Sequence, residues 1–232
     1  MDENIRKKII ATADDFGISE LANRNILKLA ESGKIDRVAI MTNGILPQEE
    51  INKLLHSGMK LDIHLNITEK FSQPRKFKEG IIKRSALFLA RYIGGQISAS
   101  IVEKEWEEQI NKFKEIVGRH PDGINSHQHI HYYPSYFKAA AALAKKYSIP
   151  FVRCGKKGFL GKMNGVKQIL AVFRKTDTRY LAKDGIESSD YLVSFDWIKD
   201  FPKFLNELPI GTVEITFHPE REDEFEAIKK YF

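Results

Sequence analysis

Two adjacent carboxylates, Asp14 and Asp15 in Thr12-Ala13-Asp14-Asp15-Phe16-Gly17, follow the apolar run Ile9-Ile10-Ala11 and stand where a first β-strand would end. Three histidine patches lie downstream. They are His64 in Leu61-Asp62-Ile63-His64-Leu65-Asn66, His127 in Asn125-Ser126-His127-Gln128-His129-Ile130-His131, and His218 in Glu214-Ile215-Thr216-Phe217-His218-Pro219. Each closes a strand-like run. One Asp and two His can hold a divalent metal ion, which leaves a carboxylate and an imidazole free for proton transfer. Singly, each feature has a plain structural reading: adjacent acids cap helices or occupy loops, and a lone histidine in an apolar strand is more often a satisfied core residue. Five such residues at strand ends are hard to assemble by independent accident.

The elements that must position them alternate between short apolar runs and helical periodicity, the pattern of βα units around a parallel sheet. Strands are expected at 8–13, 37–41, 61–65, 123–127, 151–153, 191–193 and 212–217. Helices are expected from the N-cap Ser19 to Gly33, over 47–57, over 134–147 and around 197–208. Between the third and fourth strands the alternation breaks. Residues 66–80 are polar, and two helices are expected over 80–93 and 98–117, the second with Trp106, Ile110, Phe113 and Val117 on one face. About seven strands in a single domain over 1–232 read as a (β/α) barrel, whose sites gather at the carboxyl ends of the strands. If the fourth strand stays extended as far as Tyr132, His127, His129 and His131 share one side. If Pro134 bends the chain earlier, His131 becomes an exposed loop residue.

Composition narrows the function classes. The chain has 232 residues, 42% of them hydrophobic, enough for a proper core. A single cysteine, Cys154, excludes an internal disulfide framework and fits a reducing, cytoplasmic setting. Residues 1–8 lack the apolar stretch of a signal peptide, and no run is long enough to span a membrane. The net charge of +6 is concentrated in residues 156–183, where eight basic side chains face one acid, Asp177. Phe159, Met163, Val166, Leu170 and Phe173 recur there at helical spacing. Such a segment could lie on the anionic inner face of a membrane as a peripheral contact, or simply cover the barrel with a solvated basic face. A nucleic-acid-binding module would account for the basic residues but for none of the histidines. Asp15-Phe16-Gly17 spells a kinase metal-binding triplet, yet only fourteen residues precede it, too few for a glycine-rich loop and a β3 lysine. Phosphate-cradling glycine motifs and a Gly-x-Ser-x-Gly elbow are absent. Cys154 has no evident base partner.

Five segments, Ala13–Ser19, His64–Thr68, Ser126–His131 with Pro134, Val152-Arg153 and His218-Pro219, resemble in order and spacing the YdjC-like family of carbohydrate deacetylases. That family includes chitooligosaccharide deacetylases and relatives acting on glycolipids in hopanoid synthesis. The resemblance runs from the first strand to the last and is loose over 155–190. It implies a barrel like that of other polysaccharide deacetylases, Mg²⁺ or, as alternatives, Zn²⁺ or another transition metal, and hydrolysis of an acetamido group on a sugar or glycolipid. Carried over by position, Asp15, His64 and His127 are the metal ligands, Asp14 the general base and His218 the acid. Arg153 restrains Asp14; His129, His131, Asn125 and Phe16 fall to the substrate or to the outer shell. Where the family usually has Asp before Ser-His, this chain has Asn125. A homodimer is left open. The rival reading is a barrel hydrolase of another bond, such as a phosphoesterase.

Overall fold

Ile9–Phe16 forms β1, and its side chains are buried along almost the whole strand, as a parallel strand covered on both faces requires. On one side of it lie β2 (Arg37–Ile40), β3 (Lys60–Leu65), β4 (Gly123–Ser126) and β5 (Phe151–Val152). On the other lie β8 (Val213–Phe217), β7 (Tyr191–Ser194) and β6 (Gly158–Phe159). All neighbours are parallel. This is a computed structural model, and it describes residues 2–67, 97–162 and 165–232. The expected helix over 80–93 and most of the polar stretch 66–80 lie outside the described residues.

The curled sheet makes the fold an α/β half-barrel of the (β/α) type, with eight strands where the sequence suggests about seven. The additional strand is β6, two residues inside the basic segment, too short to show any period. Among the described residues no ladder joins β5 to β6. The seam is spanned by the segment that precedes β7: Val152 N donates to Glu187 O at 3.0 Å, and Glu187 N donates to Pro150 O at 2.9 Å.

The helices of the described residues are α1 (Glu3–Arg6), α2 (Glu20–Glu31), α3 (Gln48–His56), α4 (Ala99–Val117), α5 (Pro134–Lys146), α6 (Gly165–Asp184), α7 (Phe201–Asn206) and α8 (Glu222–Tyr231). Ser19 caps α2 as expected, its Oγ accepting from Ala22 N at 3.1 Å. The short α1 and the terminal α8 lie outside the expected set. Trp106, Ile110, Phe113 and Val117 of α4 are all buried. Gln109 lies on the same face, and its amide grips the end of β3, accepting from Asn66 N at 3.0 Å and donating to Asn66 O at 2.6 Å. That clamp takes the place of a ladder where the strand carrying His64 ends.

The basic segment divides differently from the helical spacing expected of it. Phe159 belongs to β6, while Leu170 is buried on α6. Met163 and the Val166 side chain lie outside the described residues. Among the described residues no helix is long and apolar enough to cross a membrane.

Candidate metal centre and proton-transfer groups

Successive strand residues point to opposite faces, so Asp14 and Asp15 should diverge and only one should reach a given mouth. A bulge changes this. Ala13 pairs with Val38 and Phe16 with Ile40, so three steps along β1 match two along β2. Asp15 occupies the left-handed region at φ 70°, a conformation that Asp tolerates better than most residues. Bulges re-aim side chains beside functional sites. Here the two carboxylates end with separate partner sets. Gly17, at φ 104°, completes the turn; a Cβ there would stand 3.0 Å from Met41 O.

Asp15 Oδ1 faces two imidazoles, His64 Nε2 at 3.0 Å and His127 Nδ1 at 2.9 Å. One ligand atom from each residue lies within 4.8 Å of the others, the only such cluster of three or more ligating side chains among the described residues. The chemistry of the donors fits a cation. Asn125 Oδ1 accepts from His64 Nδ1 at 2.5 Å, which fixes the ring proton on that side and turns the Nε2 lone pair toward the carboxylate. Lone pair and carboxylate oxygen are both acceptors, and a proton or a metal ion between them removes the conflict. Burial raises the Asp15 pKa, but the hydrogen bonds from His127 and His64 outweigh it and hold the carboxyl well below its usual range.

Asp14 stays near this cluster, where His64 and His218 both act on its charge, but its oxygens form a bidentate pair with Arg153: Nη1 to Oδ2 and Nη2 to Oδ1, both 2.8 Å. Arg153 Nε donates to Glu214 Oε1 at 2.8 Å, and Thr12 Oγ1 donates to the same oxygen at 3.1 Å. Burial raises the Asp14 pKa, but the Arg153 guanidinium more than offsets it, so the carboxyl sits below its ordinary value. Glu214 moves upward, because burial dominates and Arg153 only partly compensates.

His218 follows β8. Its Nδ1 is 3.4 Å from Glu224 Oε2, and its backbone N–H donates to that oxygen at 2.6 Å. Arg221 Nη1 holds the other Glu224 oxygen at 2.7 Å. Burial lowers the His218 pKa, but Glu224, Asp15 and Asp14 more than reverse this and push it up to about 9.

The extended run through His131 does not form. β4 ends at Ser126, and His127–Tyr132 turns into a 3₁₀ segment with Gln128 and His129 both at φ 55°. The three imidazoles therefore separate. His127 faces Asp15; His129 sits between Tyr132 and Trp197, with ring centroids 6.1 and 5.9 Å away. Burial, with Arg153 nearby, pushes the His129 pKa down to about 3, so the ring is neutral. His131 is neither beside His127 nor an exposed loop residue. It is fully buried, its Nε2 donating to Arg153 O at 2.9 Å and its Nδ1 accepting from Ser126 Oγ at 2.6 Å. Both ring nitrogens are satisfied, and the residue fixes the backbone that carries Arg153. Phe16 is also fully buried in the core, so its side chain offers a substrate no surface. Cys154 is buried too, and burial pushes its thiol up, away from nucleophilic reactivity.

Three acids of the site do not stand out from motif spacing: Glu224, Glu214 and Asp62, whose Oδ2 lies 3.4 Å from Asn125 Nδ2. The signal for two of them was present, since a charge inside Leu61-Asp62-Ile63 or Val213-Glu214-Ile215 must find a partner if the strand is buried. Glu224, in the first turn of α8, follows His218 by six residues across a proline.

A family model described as YdjC-like protein matches residues 8–231. The chain belongs to the YdjC-like family. Similar curated proteins include a carbohydrate deacetylase of Halalkalibacterium halodurans, 27% identical over 224 residues, covering 94% of this chain and 86% of the relative. A carbohydrate deacetylase of Danio rerio is 26% identical over 153 residues, 63% of this chain and 49% of the relative. A chitooligosaccharide deacetylase of Serratia marcescens is 24% identical over 151 residues, with shares of 63% and 59%. The chain spans about half the length of the carbohydrate deacetylases it matches in Danio rerio, Mus musculus and Homo sapiens. The fold is shared with a crystal structure from Enterococcus faecalis V583, named for cellobiose-phosphate cleavage, at TM-score 0.61 and 18% identity over 90% of this chain and 80% of that one.

Proposed function

We propose that this YdjC-like protein hydrolyses the N-acetyl group of an acetamido sugar, on an oligosaccharide or a glycolipid. The observation that carries the reading is the bulge in β1, which gives Asp15 to two imidazoles and Asp14 to Arg153. The naming of relatives as carbohydrate and chitooligosaccharide deacetylases supports the same chemistry. Amide hydrolysis needs an activated water, a stabilised oxyanion and a proton for the leaving amine. A divalent ion held by Asp15, His64 and His127, Mg²⁺ or a transition metal such as Zn²⁺, supplies Lewis acidity toward the water and the acyl oxygen when bound. Asp14 takes the proton of the attacking water; Arg153 keeps it ionised and aimed. His218 delivers a proton to the leaving amine, which is otherwise too basic to depart. In this reading His129, a neutral ring at φ 55° beside Tyr132 and Trp197, contacts the sugar.

Two measurements test this. A screen for acetate release over N-acetylglucosamine oligomers and acetylated glycolipids is expected to find turnover that a chelator removes and a divalent ion restores. Phosphate release from a generic ester, without acetate release from any acetylated sugar, would favour the rival hydrolase. The second measurement concerns the acid. With its pKa raised to about 9 in the metal-free protein, His218 is protonated and competent on the acid side and loses its proton on the alkaline side; a divalent ion on Asp15 offsets part of that rise, so activity falls at or below that pH. Glu224→Gln removes the first-named of the raising influences, so the alkaline limb is expected to move to lower pH, by about one unit or more. An alkaline limb that stays in place in Glu224→Gln while the His218 ring titration moves by NMR would remove His218 from the acid role.

A further inference from the structure

We infer that Asp62, backed by Arg37, is a positioning residue that acts through Asn125 to decide which ring nitrogen of His64 carries the proton, and so whether Nε2 turns a lone pair toward Asp15. The inference rests on the reading of Asp15, His64 and His127 as metal ligands. Asn125 Oδ1 is 2.5 Å from His64 Nδ1, and on the amide's other side Asn125 Nδ2 lies 3.4 Å from Asp62 Oδ2. Asp62 is in turn held by Arg37, Nε to Oδ2 at 2.8 Å and Nη2 to Oδ1 at 2.5 Å. All four side chains are buried. They follow the strand register, since Asp62 pairs with Gly123 and His64 with Asn125 across β3 and β4.

An asparagine amide has two unlike ends, and His64 can meet either. Facing the oxygen, the ring keeps its proton on Nδ1 and offers the Nε2 lone pair to Asp15. Facing the NH₂ group, it must accept at Nδ1 and carry the proton on Nε2, where it can no longer ligate. An aspartate at 125 would need no such control, because both its oxygens accept. With asparagine the direction has to be imposed. A carboxylate accepts only, so Asp62 admits the Nδ2 end of the amide and leaves Oδ1 for His64. Arg37 keeps Asp62 in place and supplies the counter-charge that a buried carboxylate needs. The fold makes room for this pair at one position: a Cβ on Gly123 would lie 2.6 Å from both Arg37 Nη2 and Asp62 Oδ1.

The test uses the full chain. The tautomer of His64 is read from its ¹⁵N chemical shifts in metal-free protein at alkaline pH, on the neutral ring, with Asp15→Ala added throughout so that no carboxylate competes for a proton on Nε2; affinity is read separately, without that change, by calorimetric titration with Zn²⁺ alone. With Arg37 and Asp62 intact the proton is expected on Nδ1. In the double variant Arg37→Met/Asp62→Leu, which strands neither buried charge, the Nε2–H form is expected to become populated and Zn²⁺ affinity to fall roughly 10- to 100-fold. Adding Asn125→Asp to that double variant is expected to restore both readouts, because the direction of the amide no longer matters. If the double variant folds poorly, Asp62→Asn preserves volume, and its amide can present either end; it is expected to give a mixture of tautomers. An unchanged Nδ1–H tautomer in Arg37→Met/Asp62→Leu or in Asp62→Asn overturns the inference. Failure of wild-type protein to bind Zn²⁺ or any other divalent ion would instead sink the metal reading, and the tautomer measurement would still stand or fall by itself.

Discussion

Asp14→Asn is expected to lower turnover by about 10²- to 10⁴-fold, the range for loss of a general base, with divalent-ion binding retained. Asp15→Asn is expected to lose the ion and the activity together. The two residues are consecutive and both are acids, so charge or proximity alone would predict similar effects. Their partners predict different ones. Asp15 shares one oxygen between His64 and His127, and an amide there supplies a neutral oxygen or an NH₂ where an anionic ligand is needed. Asp14 has no contact with either imidazole among its hydrogen bonds; both its oxygens accept hydrogen bonds from Arg153. Direct ion binding by calorimetry, paired with acetate release, separates the variants. If Asp14→Asn retains wild-type activity, or Asp15→Asn retains wild-type ion affinity, the division of labour is wrong.

The second large effect is on stability. Arg153 is fully buried and donates to two carboxylates, Asp14 and Glu214, from two different strands. Arg153→Met leaves both acids in the interior without the guanidinium that donates to them, with only the more distant His218 and Arg37 as positive charge. Removing one partner of a buried pair costs about 3–5 kcal/mol, which for a domain of this size lowers Tm by roughly 6–20 °C. The pH dependence identifies the cause. In the wild type the Asp14 pKa is depressed, so its contribution is present above the unfolded-state value near 3.8 and is lost as pH falls through the lower folded-state value. In Arg153→Met both carboxyls are pushed upward by burial and can fold protonated at acid pH. The gap between variant and wild type should therefore narrow steadily from pH 8 to pH 5. A gap of constant size would mean that lost packing, not stranded charge, dominates. Arg153→Lys keeps the charge but gives up the bidentate fork, and is expected to fall between the two.

Much of the frame is legible because its signals are local. Strands such as Lys60–Leu65 and Val213–Phe217 are apolar runs bounded by breakers, and α2 announces its start with Ser19. The histidines at strand ends could be assembled once the strands were placed, since parallel α/β folds gather such ends at one mouth. What escaped notice depends on neighbours far along the chain. The bulge in β1 exists only against the register of β2, and nothing in Asp14-Asp15 itself declares it. His131 was misplaced because its fate turns on the left-handed pair Gln128 and His129, which ends the strand before alternation can carry it to the site face. Glu224 was missed because its role appears only when α8 folds back under His218. Asn125 was visible as a departure from the family pattern, whereas the Asp62 and Arg37 that accompany it come into view only when β2, β3 and β4 lie side by side.

The left-handed backbone of Asp15 has a consequence for how this chain can vary. A side chain at φ 70° costs on the order of 1 kcal/mol relative to a residue without a Cβ, so on backbone grounds alone glycine suits position 15 better than aspartate. Drift toward local comfort would relax the strand and disarm the site in one step. An aspartate here thus runs against the folding preference of its own peptide unit, as expected of a residue that serves the proposed ion and not the stability of the strand.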